Sequence, residues 1–227
     1  LDRIPSMGPL SVSVPGAVAG WIDAHDRYGS MNFAELLSTG IDYARNGFAV
    51  SSRLAQDFEE QGQNLNDAGR DLYLPNSNPP KVGSLLRNPQ LANSLEIVAD
   101  QGKEGFYNGS IAQKLSAFIT EQGGYLRQGD FASHSSTWVT PLRGDYLNHE
   151  FVVMPPNTQG VTQLALFEMA KSHDLASMTQ NSADYLHTLV ELKKLAFADR
   201  DRWVADPNSA NVPVDQLLDA DYLKNRA

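Results

Sequence analysis

The sequence has no cysteine among its 227 residues, and this absence removes several kinds of chemistry. Disulfide bonds, thiolate metal ligands and a cysteine nucleophile are all excluded. Histidine is also scarce, because the five present are scattered at 25, 134, 149, 173 and 187, with no HExxH motif and no pair at i, i+4. We therefore expect neither a metal site nor a cofactor.

Positive charge and long apolar runs are lacking as well. Eighteen lysines and arginines against 27 acidic residues give a net charge of -9, and no basic cluster interrupts that excess. Because nucleic-acid binding needs a basic face, we expect no nucleic-acid partner. No stretch approaches the roughly 18 apolar residues of a membrane helix, so we expect no membrane partner either.

The N-terminal stretch "LDRIPSMGPLSVSVPG" has neither an initiator methionine nor the regions of a signal peptide. We interpret this stretch as the interior of a longer chain. The sequence does not distinguish a periplasmic from a cytoplasmic location.

What is present is a composition typical of globular proteins, 41% hydrophobic and 20% charged, in a chain long enough to bury a core. Helical periodicity dominates, and the ends of helices are signalled by Gly47, by Ser51 and Ser52, and by Pro89. We expect one domain over residues 1–227. The stretch 62–84, rich in Asn, Gly and Pro, is predicted to be an irregular surface excursion.

A single β-rich stretch, "TWVTPLRGDYLNHEFVVMPP", breaks the helical pattern. Its alternation predicts a short hairpin or strand pair near 139–154, with turns at Gly144-Asp145 and Asn148-His149. The fold class is therefore α+β and mostly helical. Because two strands alone are marginal in water, we expect this pair to belong to a larger sheet supplied by other chain. Open strand edges are also expected to let this piece associate with itself or with another subunit.

The turn after these strands, "MPPNTQGVTQL", places amides and a hydroxyl where a helix begins. In one interpretation Asn157, Thr158, Gln159 and Gly160 face a substrate, because a helix N-terminus attracts a carboxylate or an oxyanion. In the other, Thr158 simply caps the helix.

Three further features favour structural roles. In "AFADRDRW", Asp199 and Arg202 are spaced to pair on one helix face, although a catalytic carboxylate is the alternative. Phe106 and Tyr107, which lie between glycines, are expected to plug helix ends rather than stack on a ligand. His25 lies on the apolar face of its helix and is expected to be a core residue.

Several blocks, taken in order, resemble the C-terminal part of the large subunit of the γ-glutamyltranspeptidase family. They include "VPGAVAGWIDAHDRYGSMNFAELL", "NPQLANSLEIVADQGKEGFYNGSIAQKL", "PLRGDY", "VVMPPNTQG" and "LKKLAFADRDRWVADP", and together they span nearly all of the chain. The resemblance implies a self-processing N-terminal-nucleophile hydrolase with an αββα sandwich. It also implies that the partners are the small subunit of the same precursor and a small-molecule amide or γ-glutamyl substrate.

In that family the nucleophile is the N-terminal threonine of the small subunit, whose own amino group acts as general base. By resemblance, this threonine would follow Ala227, and the arginine that grips the substrate carboxylate would precede the segment. We therefore expect no catalytic residue within the chain and no activity from the chain alone.

The turn departs from the family's usual form. True γ-glutamyltranspeptidases tend to carry Pro-Pro-Pro-Ser-Ser-Gly-Gly, whereas this chain has Pro-Pro-Asn-Thr-Gln-Gly at 155–160, closer to cephalosporin acylases and oxamate amidohydrolases. Two rivals to an amidohydrolase stay open, namely a γ-glutamyltransferase acting on glutathione and a non-catalytic helical binding module.

Overall fold

The computed structural model describes residues 4–227, which divide into two compact units on either side of the bond between Ser136 and Thr137. That the chain is one domain of a large subunit stays a prediction.

The first unit is almost entirely helical. Its helices are α1 Ala17–Tyr28, α2 Phe33–Asn46, α3 Ser52–Gln61, α4 Asp67–Tyr73, α5 Pro89–Lys103, α6 Ser110–Glu121 and α7 Gln128–Ala132, with 3-10 turns at Pro9–Ser11, Gly62–Asn64 and Pro75–Ser77. Two short strands, β1 Phe48–Ala49 and β2 Leu85–Leu86, pair antiparallel, and Glu104–Asn108 forms a π-helical turn.

The helix limits follow local signals in the sequence. Asn32 caps α2, because its side chain accepts from the backbone N–H groups of the first turn, and Gly47 ends the helix at a φ of 97°. Ser51 caps α3 in the same way, and Pro89 opens α5 after the cap Asn88. The helix ends predicted at Gly47, Ser51 and Pro89 are confirmed.

The stretch 62–84 is more ordered than the sequence predicts. Asn66 accepts from the N–H of Gly69 and so starts α4, a helix that the density of Asn, Gly and Pro concealed. Most side chains in the stretch remain exposed or half-buried.

The core of the first unit forms where α1, α5, the π-helical turn, α6 and α7 meet. Its fully packed members are Val18, Ala19, Val98, Tyr107, Ala112 and Phe131. The Tyr107 hydroxyl donates to the carbonyl of Pro15 at 2.7 Å and accepts from the N–H of Ala19 at 3.1 Å. The Phe106 ring packs edge-on against it at 4.8 Å, which supports structural roles for both aromatics. His25 is half-buried against Phe33, and its Nε2 lies 2.7 Å from the Met31 carbonyl oxygen.

The second unit begins with the predicted hairpin. Strands β3 Leu142–Tyr146 and β4 His149–Val153 pair antiparallel, with Leu142 opposite Val153 and Tyr146 opposite His149. The turn lies at Leu147 and Asn148, both with positive φ. The predicted turn at Gly144-Asp145 is wrong, because both residues lie inside β3. A Cβ on Gly144 would come within 2.9 Å of the Leu164 side chain, so this glycine serves packing rather than chain reversal.

Four helices complete the second unit, namely α8 Gly160–Ala170, α9 Ala183–Trp203, α10 Val214–Leu217 and α11 Ala220–Arg226. Helix α8 packs on β3, α9 and α11, so it lies at the centre of the unit and is buried along most of its length. The core residues are Ala165, Met169, Ala170, Leu192, Ala196 and Leu223. The α+β class, mostly helical with a strand pair near 139–154, is confirmed, whereas the larger sheet stays a prediction.

Candidate binding site at the start of helix α8

The turn between β4 and α8 is held together by Thr158. Its hydroxyl donates to the carbonyl oxygens of Met154 at 2.8 Å and Pro155 at 2.9 Å, and its N–H donates to Pro155 at 3.1 Å. These hydrogen bonds from Thr158 hold the backbone of the turn in place. The peptide bond between Pro156 and Asn157 is cis.

Gly160 lets the turn and the helix approach closely. A Cβ at this position would lie 2.2 Å from the Met154 carbonyl oxygen and 2.8 Å from the Cβ of Val153. Since real Cβ atoms do not approach backbone oxygen this closely, only glycine fits without moving the chain. The requirement for glycine here comes from sterics, whatever else the turn does.

Plain capping does not account for the turn. The N-cap residue of α8 is Gln159, and its side chain makes no capping bond. The Thr158 oxygen lies 3.5 Å from the nitrogen of Gly160, which is the outer limit of a hydrogen bond. The N-cap residue is therefore Gln159 and not Thr158, and the only capping contact that Thr158 makes is this long one to the first N–H of α8.

The four predicted substrate-binding residues are brought together by the turn, with Asn157, Thr158 and Gln159 exposed and Gly160 half-buried. The Gln159 side chain reaches towards α9, where its Oε1 accepts from Nη1 of Arg200 at 3.1 Å. That these residues contact a substrate stays a prediction.

A groove of about 350 Å³ runs from this turn along the side of α8 that faces α9, and its lining consists of Gln159, Thr162, Gln163, Leu166, Lys193 and Phe197. Two cations cover the Phe197 ring, because the Lys193 ammonium lies 5.0 Å from its centroid and the Arg200 guanidinium 4.0 Å. Lys193 and Phe197 are one helical turn apart on α9. This spacing places them on one helix face, whereas nothing local to the sequence indicates that α8 lies opposite them.

A second polar region lies at the C-terminal part of α9. Asp199 is 8% exposed and accepts two bonds from Arg226, at 2.9 and 3.0 Å, and one from the Tyr222 hydroxyl at 3.0 Å. The predicted pairing of Asp199 with Arg202 is wrong. Arg202 instead packs over the Trp203 ring at 4.8 Å, and both line a cavity of about 730 Å³ with Tyr222 and Arg226.

This paired geometry makes Asp199 a structural residue that fastens α11 to α9. Burial and the hydrogen bond to Asp199 raise the pKa of Tyr222, and the hydrogen bond to Asp199 raises the pKa of Arg226. Both shifts keep the groups in the protonated form that the carboxylate binds.

Within residues 4–227, no three His, Cys, Asp or Glu side chains cluster in a way that could hold a metal ion. None of the helices in that range is long and apolar enough to cross a membrane.

Comparison with known proteins agrees across sequence and structure. A sequence profile described as gamma-glutamyltranspeptidase matches residues 1–227. A glutathione hydrolase-like proenzyme of Bacillus subtilis is 32% identical over 100% of this chain and 44% of its own length. An acylase proenzyme of a Pseudomonas species is 33% identical over 99% of the chain and 41% of its own length. The chain thus spans less than half the length of these curated relatives.

Two solved structures superpose on nearly the whole chain. The gamma-glutamyltranspeptidase of Helicobacter pylori gives a TM-score of 0.90 at 26% identity, covering 100% of this chain and 66% of its own. The cephalosporin acylase of Bacillus halodurans gives 0.86 at 30% identity, covering 99% and 44%.

Proposed function

Since the chain belongs to the gamma-glutamyltranspeptidase family, we propose that it is part of a self-processing amidohydrolase or acyltransferase. The proposed enzyme cleaves an amide, γ-glutamyl or a related acyl group, through an N-terminal threonine that is not among these 227 residues. The observation that carries the proposal is the match over the entire chain, whose relatives include both glutathione hydrolase and acylase proenzymes.

The proposed chemistry proceeds in two acyl transfers. The threonine oxygen attacks the amide carbonyl while the threonine's own amino group takes the hydroxyl proton, and the amine leaves after receiving that proton. Water or an amine acceptor then attacks the ester and releases the acyl group. Donors aimed at the carbonyl oxygen lower the barrier as negative charge develops there.

Within this scheme the chain supplies binding surface. The turn at Asn157 to Gly160 lines the acyl pocket, and the uncapped start of α8 provides positive potential there. The preferred acceptor is water, which makes the protein a hydrolase, because the Pro-Pro-Asn-Thr-Gln-Gly turn resembles that of the acylase relatives.

Intact mass and a denaturing gel of the full-length gene product, before and after incubation, test the proposal. We expect one chain to become two, with threonine at the new N-terminus. A product that stays one chain and has no processable threonine would favour the non-catalytic binding module instead.

The dependence of the rate on an amine acceptor then distinguishes the hydrolase hypothesis from the γ-glutamyltransferase hypothesis. With a γ-glutamyl anilide as donor, a hydrolase releases aniline at a rate that added dipeptide leaves unchanged. Strong activation by dipeptide would instead identify a γ-glutamyltransferase.

A further inference from the structure

The side chain of Gln159, the N-cap residue of α8, is bound by a residue of α9. Its Oε1 accepts from Nη1 of Arg200 at 3.1 Å. A guanidinium carries donors and no acceptor, so the end of the amide that faces it must be the oxygen. The bond to Arg200 therefore also decides that the NH2 group of Gln159 points away from α9.

This NH2 group is available to a ligand. Gln159 is exposed on the turn, and within residues 4–227 its NH2 group donates to no protein acceptor. An amide whose oxygen is already bonded presents two N–H donors in a fixed direction. The ligand group that fits them is a hydrogen-bond acceptor, such as a carbonyl or hydroxyl oxygen.

Arg200 is itself fixed from two further sides. Its Nε and Nη2 lie 2.8 and 2.7 Å from Oδ1 of Asp201, and its guanidinium carbon lies 4.0 Å from the centroid of the Phe197 ring. The side chain is 26% exposed. Because the planar guanidinium is held by a carboxylate, a ring face and an amide at once, it gives Gln159 a donor with little freedom to move.

Such a contact matters for binding because a free glutamine side chain loses rotamer freedom when it engages a ligand. We propose that Arg200 is a positioning residue that holds Gln159 with its NH2 group towards the acyl group of the substrate. The turn then favours acyl groups that carry an acceptor oxygen at that place. The contact with the acyl group rests on the proposed function, whereas the bond between Arg200 and Gln159 does not.

The side-chain amide of Gln159 reports this bond directly in NMR spectra of the isotope-labelled 227-residue chain. Arg200→Lys keeps the charge but removes the fork, so one ammonium cannot bind Asp201 and Gln159 in the same geometry. We expect the NH2 resonances of Gln159 to move in Arg200→Lys. They should stay in place in the matched control Arg202→Lys, because Arg202 contacts the Trp203 ring. Resonances that stay in place in both variants, or move equally in both, would overturn the proposal.

Steady-state kinetics of the self-processed full-length product, with γ-glutamyl anilide as donor, test the role in the reaction. Gln159→Leu removes the NH2 group at similar volume. This variant and Arg200→Lys should each raise KM about five-fold at unchanged kcat, the factor expected when one hydrogen bond to the bound substrate is lost. A purely structural residue would instead change the amount of active enzyme, which alters the apparent kcat and leaves KM unchanged.

The double variant shows whether Arg200 acts through Gln159. If it does, Arg200→Lys added to Gln159→Leu should raise KM no further, because the group that Arg200 positions is already gone. Arg202→Lys should leave both kinetic parameters at their parental values. Additive increases in KM, or a fall in kcat at constant KM, would overturn the proposal.

The outcomes also separate this inference from the proposed function. If the full-length product splits and hydrolyses the anilide while the two substitutions add, the role of Arg200 is wrong and the proposed function stands. If the product never splits, the proposed function falls, and the role of Arg200 in the reaction falls with it whatever the NMR spectra show.

Discussion

Two polar regions of the second unit, both built on α9, differ in whether their polar groups are paired. At Asp199 both carboxylate oxygens accept hydrogen bonds, and the donors come from α11. Beside α8, within the part of the chain that the structure describes, the Gln159 side chain makes no capping bond, the Thr162 hydroxyl has no partner and the Lys193 ammonium lies near no carboxylate.

This difference distinguishes polar groups that stabilise the fold from polar groups that are available to a ligand. A buried polar group that is fully bonded within the chain stabilises one packing arrangement and leaves nothing for a ligand. Polar groups that stay unpaired cost stability, and they persist where another molecule completes them. By this criterion Asp199 in the charge cluster of "AFADRDRW" has a structural role.

The largest effect is expected when the hydrogen-bonded cluster of Asp199, Tyr222 and Arg226 is disrupted. Asp199→Asn removes the charge that Arg226 binds and leaves the guanidinium partly buried without a counter-ion. We expect the free energy of unfolding to fall by about 2–3 kcal/mol, less than for a fully buried pair because Arg226 keeps some exposure. Urea denaturation followed by circular dichroism measures the change.

Asp201→Asn is the matched control, because Asp201 is exposed and pairs with Arg200 at the surface. Its cost should be below about 1 kcal/mol. If the two variants lose equal stability, Asp199 is no more than a surface charge.

The next largest loss of stability is expected at Gly160, where the turn approaches α8 closely. Gly160→Ala places a methyl group 2.2 Å from the Met154 carbonyl oxygen, so the turn must shift, at a cost of about 2 kcal/mol. Gly20→Ala is the control, because Gly20 lies inside α1 with open space around it and alanine is the better helix former there. The melting temperature should fall for the first variant and rise for the second. Parental stability in Gly160→Ala would show that the turn has room to rearrange.

These two contrasts mark where sequence reasoning succeeded and where it stopped. Gly47, Ser51 and Pro89 carry local signals, and the helix ends they predicted are the ones observed. The hairpin was predictable from alternation, but its turn was placed correctly only in part, because Gly144 is required by packing against Leu164 and not by chain reversal.

Partners distant in the chain were beyond local signals. Arg226, the partner of Asp199, comes from α11, whereas spacing within α9 pointed to Arg202. The pairing of β1 with β2 joins segments on either side of α3 and α4, and no periodicity reveals that kind of contact. For the same reason the turn at Asn157 to Gly160 was recognised as a candidate site, while the groove that Thr162 and Lys193 line was not predicted. These two residues meet only once α8 packs on α9.

A smaller effect, which depends on pH, is expected when Tyr222 in the Asp199 cluster loses its hydroxyl. Tyr222→Phe deletes the hydroxyl that donates to Asp199 and should cost about 1 kcal/mol at neutral pH. The folded chain raises the pKa of Tyr222, so its contribution is complete below the unfolded value near 10 and is lost as pH rises through the folded value. The stability difference between parent and variant, measured from pH 8 to 11, should therefore shrink at the alkaline end. A difference that stays constant or grows would contradict the assigned direction.

The smallest expected change is a gain in stability, and it tests the Thr162 hydroxyl directly. Thr162→Val replaces a buried hydroxyl that has no partner with a methyl group of the same shape, so the free energy of unfolding should rise by about 0.5–1 kcal/mol. Thr188→Val on α9 is the control, because that hydroxyl donates to the Asp184 carbonyl at 2.9 Å and its loss should bring no gain. Stability equal to or below that of the parent would show that the Thr162 hydroxyl is hydrogen-bonded in solution.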